Sequence, residues 1–306
     1  MDTSLLVIQT LNGLQLGLLL FLVASGLTLV FGILDFVNLA HGSLYMLGAF
    51  FCASLTYAFG NFLLAVLVAL PCTALVGYLV ERFVARPLYA RDHLDHVLGT
   101  FGLILVLDTL VHMIWGPEGL AVPLPDYLRG QVSFLGAVVP TFRLLIIAAG
   151  LAAAAGLFWL VNRTRLGMLI RAGASNRTMV SALGIDIEML FALVFALGAA
   201  LAGLAGMLIA PITEANVGMG NGIIITAFVV IIVGGIGSIK GAFVSALLIG
   251  LIDTLGRSYL DDIFTLFMSP VAAENSAPAV SAMLIYILMA AILAFRPQGL
   301  FPPKVR

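Results

Sequence analysis

Residues 8–34 read IQTLNGLQLGLLLFLVASGLTLVFGIL, a run without a single Asp, Glu, Lys or Arg. A helix needs about 20 apolar residues to cross about 30 Å of hydrocarbon, and this run exceeds that length. The same ruler, moved outward along the chain, finds further candidate spans at 38–59, 61–84, 96–115, 142–162, 187–211, 223–239, 241–259 and 279–295. The expected fold is all-α: one polytopic transmembrane bundle over residues 1–306, with nine spans, or eight if the 223–259 region is partly re-entrant. Composition agrees. Of 306 residues 62% are hydrophobic and only 9% charged, with a mean hydropathy of +1.18. A soluble domain carries about 25% charged residues, so lipid must cover much of this surface. The net charge of −1 gives no reason to expect a nucleic-acid partner. Cys52 and Cys72 both sit in apolar runs and read as small buried hydrophobes. The opening MDTSLLVIQT lacks a basic n-region, so the first span is expected to be retained rather than cleaved.

The charges orient the bundle. Cytoplasmic loops hold the Lys and Arg of a membrane protein. With nine spans and the N-terminus outside, eleven of the fourteen basic residues fall inside: Arg82, Arg86, Arg91, Arg163, Arg165, Arg171, Arg177, Lys240, Arg296, Lys304 and Arg306. Arg129, Arg143 and Arg257 fall at or near the outer face. The C-terminus is then cytoplasmic. The outer loop 116–141 contains Pro117, Pro123, Pro125 and Pro140 and is expected to be extended or turn-rich. The polar segment 260–278 is expected at the outer surface.

The basic inner loop, residues 163–188, includes most of the segment RAGASNRTMVSALGIDIEML (171–190). Ser175 or Asn176 can cap a helix. Met179 and Leu183 lie four apart with Val180 beside them, forming one apolar stripe, and Gly184 follows as a helix-ending glycine. A short amphipathic helix on the cytoplasmic side fits two roles: a knob for a groove in a partner, or a helix lying on the lipid interface, held by Arg171 and Arg177.

Four stretches carry a resemblance. GLTLVFGILDFVNLAHGSLYMLGAF (26–50), the inner loop followed by LVFALGAALAGLAGML (193–208), IIVGGIGSIKGAFVSALLIG (231–250) and the tail FRPQGLF (295–301) resemble the permeases of branched-chain amino-acid ATP-binding-cassette (ABC) importers. These are related to urea and amide importer permeases. The resemblance implies a multi-pass subunit of the bacterial inner membrane that moves branched-chain or related amino acids. It implies pairing with a second, related permease as a heterodimer, two cytoplasmic ATPase subunits that hold ATP and Mg, and a periplasmic substrate-binding protein. No cofactor or metal is implied in this chain, and no enzymatic activity. ATPase contacts carry over onto Arg171, Ala172, Asn176, Met179, Leu183 and Gly184. One departure stands out: the wider importer loop opens Glu-Ala-Ala, and this chain has Arg171-Ala172-Gly173. Urea, amides and small organic acids are alternative cargoes, and an ion-coupled secondary transporter is the alternative mechanism.

Ionisable residues inside spans are costly and point to function. Asp35 and His41 bracket Phe36–Ala40, a break between the first two spans near the inner face, and two polar residues at this break, Asn38 and His41, are candidates. They either shape the inner mouth of the translocation path or close hydrogen bonds for backbone freed at the turn. Asp108 with His112, and Asp253 with Arg257, stand four apart and can form ion pairs on one helix face; a proton relay is the alternative. His93 and His96 are expected in solvent. GGIGSIKG (234–241) lacks the Gly-x-x-x-x-Gly-Lys-Ser/Thr order of a phosphate loop. Gly234, Gly235 and Gly237 therefore mark a helix break, lining the path or allowing tight packing. Gly198, Ala202 and Gly206, with Ala199 and Gly203, form small-residue faces for close helix contact, within the chain or across a partner. No catalytic constellation is present.

Overall fold

The computed structural model describes residues 3–134 and 137–301; Lys304 and Arg306 of the basic tail lie outside the described residues. In chain order the elements are α1 (Thr3–Leu34), α2 (His41–Phe59), α3 (Phe62–Val80), a π-helical turn Glu81–Ala85 leading into α4 (Arg86–Leu88), α5 (His93–Trp115), β1 (Gln131–Phe134), β2 (Ala137–Pro140), α6 (Thr141–Arg163), α7 (Arg165–Ser175), α8 (Arg177–Ala182), α9 (Ile187–Thr213), α10 (Met219–Gly234), α11 (Ile239–Phe264) and α12 (Pro270–Phe295). Eight helices among the described residues are long and apolar enough to cross a membrane. The ninth expected span is α10, with only 16 residues, about 24 Å long. Its start lies inside the bundle. Asn221 donates to Asp108 Oδ2 at 3.4 Å, and Asp108 is still about 10 Å short of the end of α5. Gly42 at the start of α2 meets Gly220 backbone to backbone.

The two ends of the bundle are distinct in chemistry. One end gathers the last turn of α1, the α4–α5 connection, α7, α8 and the 235–238 turn. It is tied by Arg177 Nη2 to Ile33 O at 3.2 Å and by Arg86 Nη1 to Glu188 Oε2 at 2.6 Å. At the other end Tyr57 donates to Ala121 O at 2.8 Å and Leu120 bridges Ala215. The described Lys and Arg expected inside stand at the first end.

At the centre is α1, whose principal contacts are α11 and α9. Backbone approaches hold this core. Gly13 and Gly17 rest on the backbone of α11 at Leu251 and Leu247, Gly26 on Gly198, Gly48 on Gly203, and Gly206 on Tyr45 and Ala49. The small-residue face of α9 is thus used within the chain, against α1 and α2. Lipid gives helices no hydrophobic reason to associate, so close packing of small residues supplies the attraction.

Two features add detail and one expectation, the burial of Cys72, changes. The 260–278 segment is mostly helical: α11 runs to Phe264 and α12 starts at Pro270, with the Ser269 hydroxyl accepting from Ala272 N at 3.4 Å. Proline fits a first helical turn, where its missing N–H is not needed, and Pro278 is carried inside α12. The outer loop contains a hairpin, β1 pairing antiparallel with β2, a small exception to the all-α fold. Of the cysteines, Cys52 is buried and Cys72 is exposed on α3.

Candidate functional site

The inner loop folds as two short helices. Asn176 accepts from Met179 N at 2.9 Å and so caps α8, and Gly184 closes it with φ +82°. The helix α7 before it was not legible as a helix; Thr164 caps it, accepting from Gly167 N at 3.1 Å. The expected apolar stripe divides. Val180 is buried, while Met179 and Leu183 are 59% and 73% exposed, so Val180 anchors α8 and the other two form a projecting knob. Ala172 is half-buried in α7.

Arginines fasten this unit to the membrane helices. Arg177 donates to the last-turn carbonyl of Ile33 on α1 and stacks over Phe191 of α9, 5.3 Å from the ring centroid. Arg171 donates to Val161 O near the end of α6. Both place positive charge at a helix C-terminus, where the dipole favours it. A further anchor was not expected. Glu81 is fully buried; Arg86 grips it through Nε–Oε1 at 3.2 Å and Nη2–Oε2 at 2.9 Å, and reaches Glu188 at the start of α9. Tyr89 donates to Glu81 Oε1 at 3.2 Å, and burial pushes its phenol pKa up, keeping that proton in place. The available signal was Glu81 itself, an acid inside the 61–84 span.

Beside the Arg171 and Arg177 anchors lies a cavity of about 840 Å³, lined in part by Asp35, Asn162, Arg171, Arg177, Gly237 and Lys240. Three cations against one anion make its mouth basic. The glycine turn forms one wall. Gly235 and Gly237 have φ +104° and +82°, and the Ser238 hydroxyl starts α11 by accepting from Gly241 N at 3.1 Å. The tail folds back onto the turn. Leu300 N donates to Val233 O at 2.9 Å and Phe301 N to Gly234 O at 3.0 Å. The carbonyls freed by the helix break are therefore used by the tail, Gly234 packs on Gly241, and Gly237 reaches the cavity.

Asn38 and His41 stand elsewhere. Both are fully buried, and their side-chain nitrogens and oxygens make no hydrogen bond of good geometry, although the backbone of Val23 lies near the His41 ring. His41 lies beside Gly26 and Gly198. Gly26 is about 12 Å before the end of α1, so the 35–40 connection dips into the bundle and α2 begins below the surface. The freed backbone finds other partners, such as Leu39 N to Thr100 Oγ1 at 3.3 Å. Asp108 bonds Asn221 and does not pair with His112, because α10 supplies a partner that helix spacing could not reveal. His93 is exposed near Asp35, whereas His96 is buried against Phe36, its Nε2 2.9 Å from Leu88 O. The dip of Phe36 toward α5 covers it. Asp253 and Arg257 do pair, at 3.1 Å.

A bundle of long apolar helices with a basic end, short capped helices projecting from that end and a cavity beneath them defines a multi-pass membrane protein. The chain belongs to the family of branched-chain amino acid transport system permease components, whose sequence profile matches residues 9–293. It is 31% identical over 305 residues to the high-affinity branched-chain amino acid transport system permease protein BraD of Pseudomonas aeruginosa, covering 95% of this chain and 94% of that protein. It is 30% identical over 267 residues to the corresponding LivH of Escherichia coli, covering 82% and 86%. The ribose import permease protein RbsC of Escherichia coli is 27% identical over 244 residues, covering 76% and 72%. No solved structure matches the chain significantly.

Proposed function

We propose that the protein is the membrane permease subunit of an ABC importer that carries branched-chain amino acids across the bacterial inner membrane. The arginine-rich end is cytoplasmic, and the knob of Met179 and Leu183 is seated in a groove of an ATPase subunit. Arg171, Ala172, Asn176 and Gly184 shape and orient that knob. The carrying observation is the division of α8: one apolar residue holds it to the bundle, two stand exposed, and Arg177 ties the helix to α1 and α9. Movement of α8 is thereby delivered to the most buried helices. A second, related permease completes the membrane unit, and a periplasmic binding protein delivers the solute. ATP and Mg belong to the ATPase subunits.

The test is uptake of radiolabelled leucine into proteoliposomes containing the permease, its companion subunits and binding protein. Uptake is expected to require ATP and binding protein. Leu183→Asp is expected to abolish uptake together with ATPase co-purification, while the permease remains folded. Uptake independent of ATP would instead identify an ion-coupled transporter. Intact binding-protein-stimulated ATP hydrolysis without leucine uptake would move the cargo to urea, amides or small organic acids.

A further inference from the structure

Asp253 and Arg257 lie one turn apart on α11. Arg257 Nε donates to both Asp253 oxygens at 3.1 Å, and Nη2 stands 3.1 Å from Oδ1. The pair borders a cavity of about 320 Å³ between α1, α10, α11 and α12. The opposite walls are branched and aliphatic, formed by Leu16 and Leu20 of α1, Ile223 of α10, Ile249 of α11 and Ile285 of α12. Asp253 lies about 21 Å along α11 from Ile239, within hydrocarbon depth. Charges at that depth face a partner or an aqueous cavity and mark solute paths. Well-packed apolar residues would stabilise such a seam at least as well as an ion pair. On the next turn the fully buried Ser281 hydroxyl of α12 stands against Gly256 without a partner.

The chemistry that matches this arrangement carries one positive group, one negative group a few bonds away and a branched aliphatic side chain. We propose that the cavity is a binding station for a branched-chain amino acid zwitterion on its way through the permease, an inference that rests on the importer reading above. The α-carboxylate replaces Asp253 on the Arg257 guanidinium, and the α-ammonium replaces Arg257 at the Asp253 carboxylate. The side chain rests on Leu16, Leu20, Ile249 and Ile285. One resident ion pair opens and two substrate ion pairs take its place, so no net charge is introduced into the membrane. The partners differ in freedom: the Asp253 side chain is 15% exposed and the Arg257 side chain 65%, making Asp253 the fixed post and Arg257 the arm that swings out. A cavity of this volume lies at the lower end of the range of about 300–1,000 Å³ for ligand pockets, which suits a single small amino acid.

The test is photolabelling of the full chain, in nanodiscs with its companion subunits, by photoleucine, a leucine analogue with a diazirine in its side chain. Label is expected in the α11 and α12 peptides around the cavity. Leucine should displace it, whereas leucinamide, which lacks the carboxylate, and isocaproate, which lacks the amine, should displace it about tenfold less well, as expected for loss of a charged hydrogen bond. The double variant D253N/R257Q should lose the label with an unchanged unfolding midpoint. Label confined to other helices, label that survives the double variant, or equal displacement by all three competitors would overturn the proposal. If the variant does not fold, the competition series on the unaltered protein still decides. Leucine uptake by the same preparation separates the two readings. Uptake without label here sinks the station and leaves the importer standing; absence of uptake, with or without label, sinks the leucine-importer reading and with it a station on its path.

Discussion

Helices α1 and α12 are both long, apolar and able to span a bilayer, yet 83% of the α1 window is buried inside the protein and only 11% of the α12 window. Hydropathy does not separate them. The difference lies in what the small residues do. In α1, Gly13, Gly17 and Gly26 meet neighbouring backbones directly. In α12, large side chains such as Val271, Met283 and Ile287 are turned outward and exposed. In lipid, apolar surface alone places no helix inside the bundle; the ability to come close does. The exposed faces of α5 and α12 are therefore the ones left for lipid or, on the importer reading proposed above, for a second permease.

The hardest way to break that contrast is to fill a backbone contact. A Cβ at Gly206 would fall on the Tyr45 carbonyl, whereas one at Gly102 on α5 meets nothing within 4 Å. Gly206→Val is expected to abolish folded protein, since backbone must move rather than a flexible side chain; overpacking of a core already costs about 1–3 kcal/mol where side chains can yield. Gly102→Val is expected to leave yield and unfolding midpoint unchanged. Size-exclusion yield and detergent-solubilised thermal unfolding of the two variants measure this, and equal behaviour would end the comparison.

The next effect sharpens it. Helix α3 belongs to the periphery, with 28% of its window buried, yet its end carries the fully buried Glu81 held by Arg86. A peripheral helix thus carries a polar anchor at its end in addition to the packing of Thr73 and Gly77 on α9. Arg86→Ala leaves that carboxylate buried and unpaired and is expected to destabilise by about 3–5 kcal/mol. Glu188→Ala removes only the 71% exposed partner and is expected to change stability by less than about 1 kcal/mol. Urea or thermal unfolding of both variants should reproduce this asymmetry. If both are equally mild, the anchor is not what holds α3.

The anchor also shows why parts of the site were hidden in the sequence. Glu81 and Arg86 are five apart, a spacing that an α-helix does not align; the π-helical turn Glu81–Ala85 brings them together, and nothing local announces that turn. Helix α8 was readable because its punctuation is local: Asn176 in front, Gly184 behind. Helix α7 was not, because Gly167 and Gly173 with Arg165 and Arg171 read as a loop, and its stability comes from Gly167 packing onto the Leu160 and Val161 carbonyls. Long spans were legible from length and polarity. The dip of 35–40, the inner start of α10 and the Asp108–Asn221 contact were not, since each depends on which distant helix stands alongside.

The smallest expected effect concerns α8, which lacks both kinds of fastening found above. It has no backbone-to-backbone glycine contact and no buried carboxylate; Val180, Arg177 and the cap hold it. Asn176→Ala removes the acceptor for Met179 N and is expected to cost the helix about 1 kcal/mol, while Asn176→Asp keeps an acceptor and should behave as the parent. A loss of that size on a six-residue helix leaves the bundle untouched, so the unfolding midpoint of the permease should not move. The change should instead appear as faster amide hydrogen exchange confined to α8 and, on the importer reading, as a several-fold rise in the ATPase concentration needed for half-maximal assembly, because a knob that docks must then be reordered. Exchange that quickens equally across α9 would mean that α8 and the core unfold together, and would contradict the view that the arginine-rich end carries a separately fastened lever.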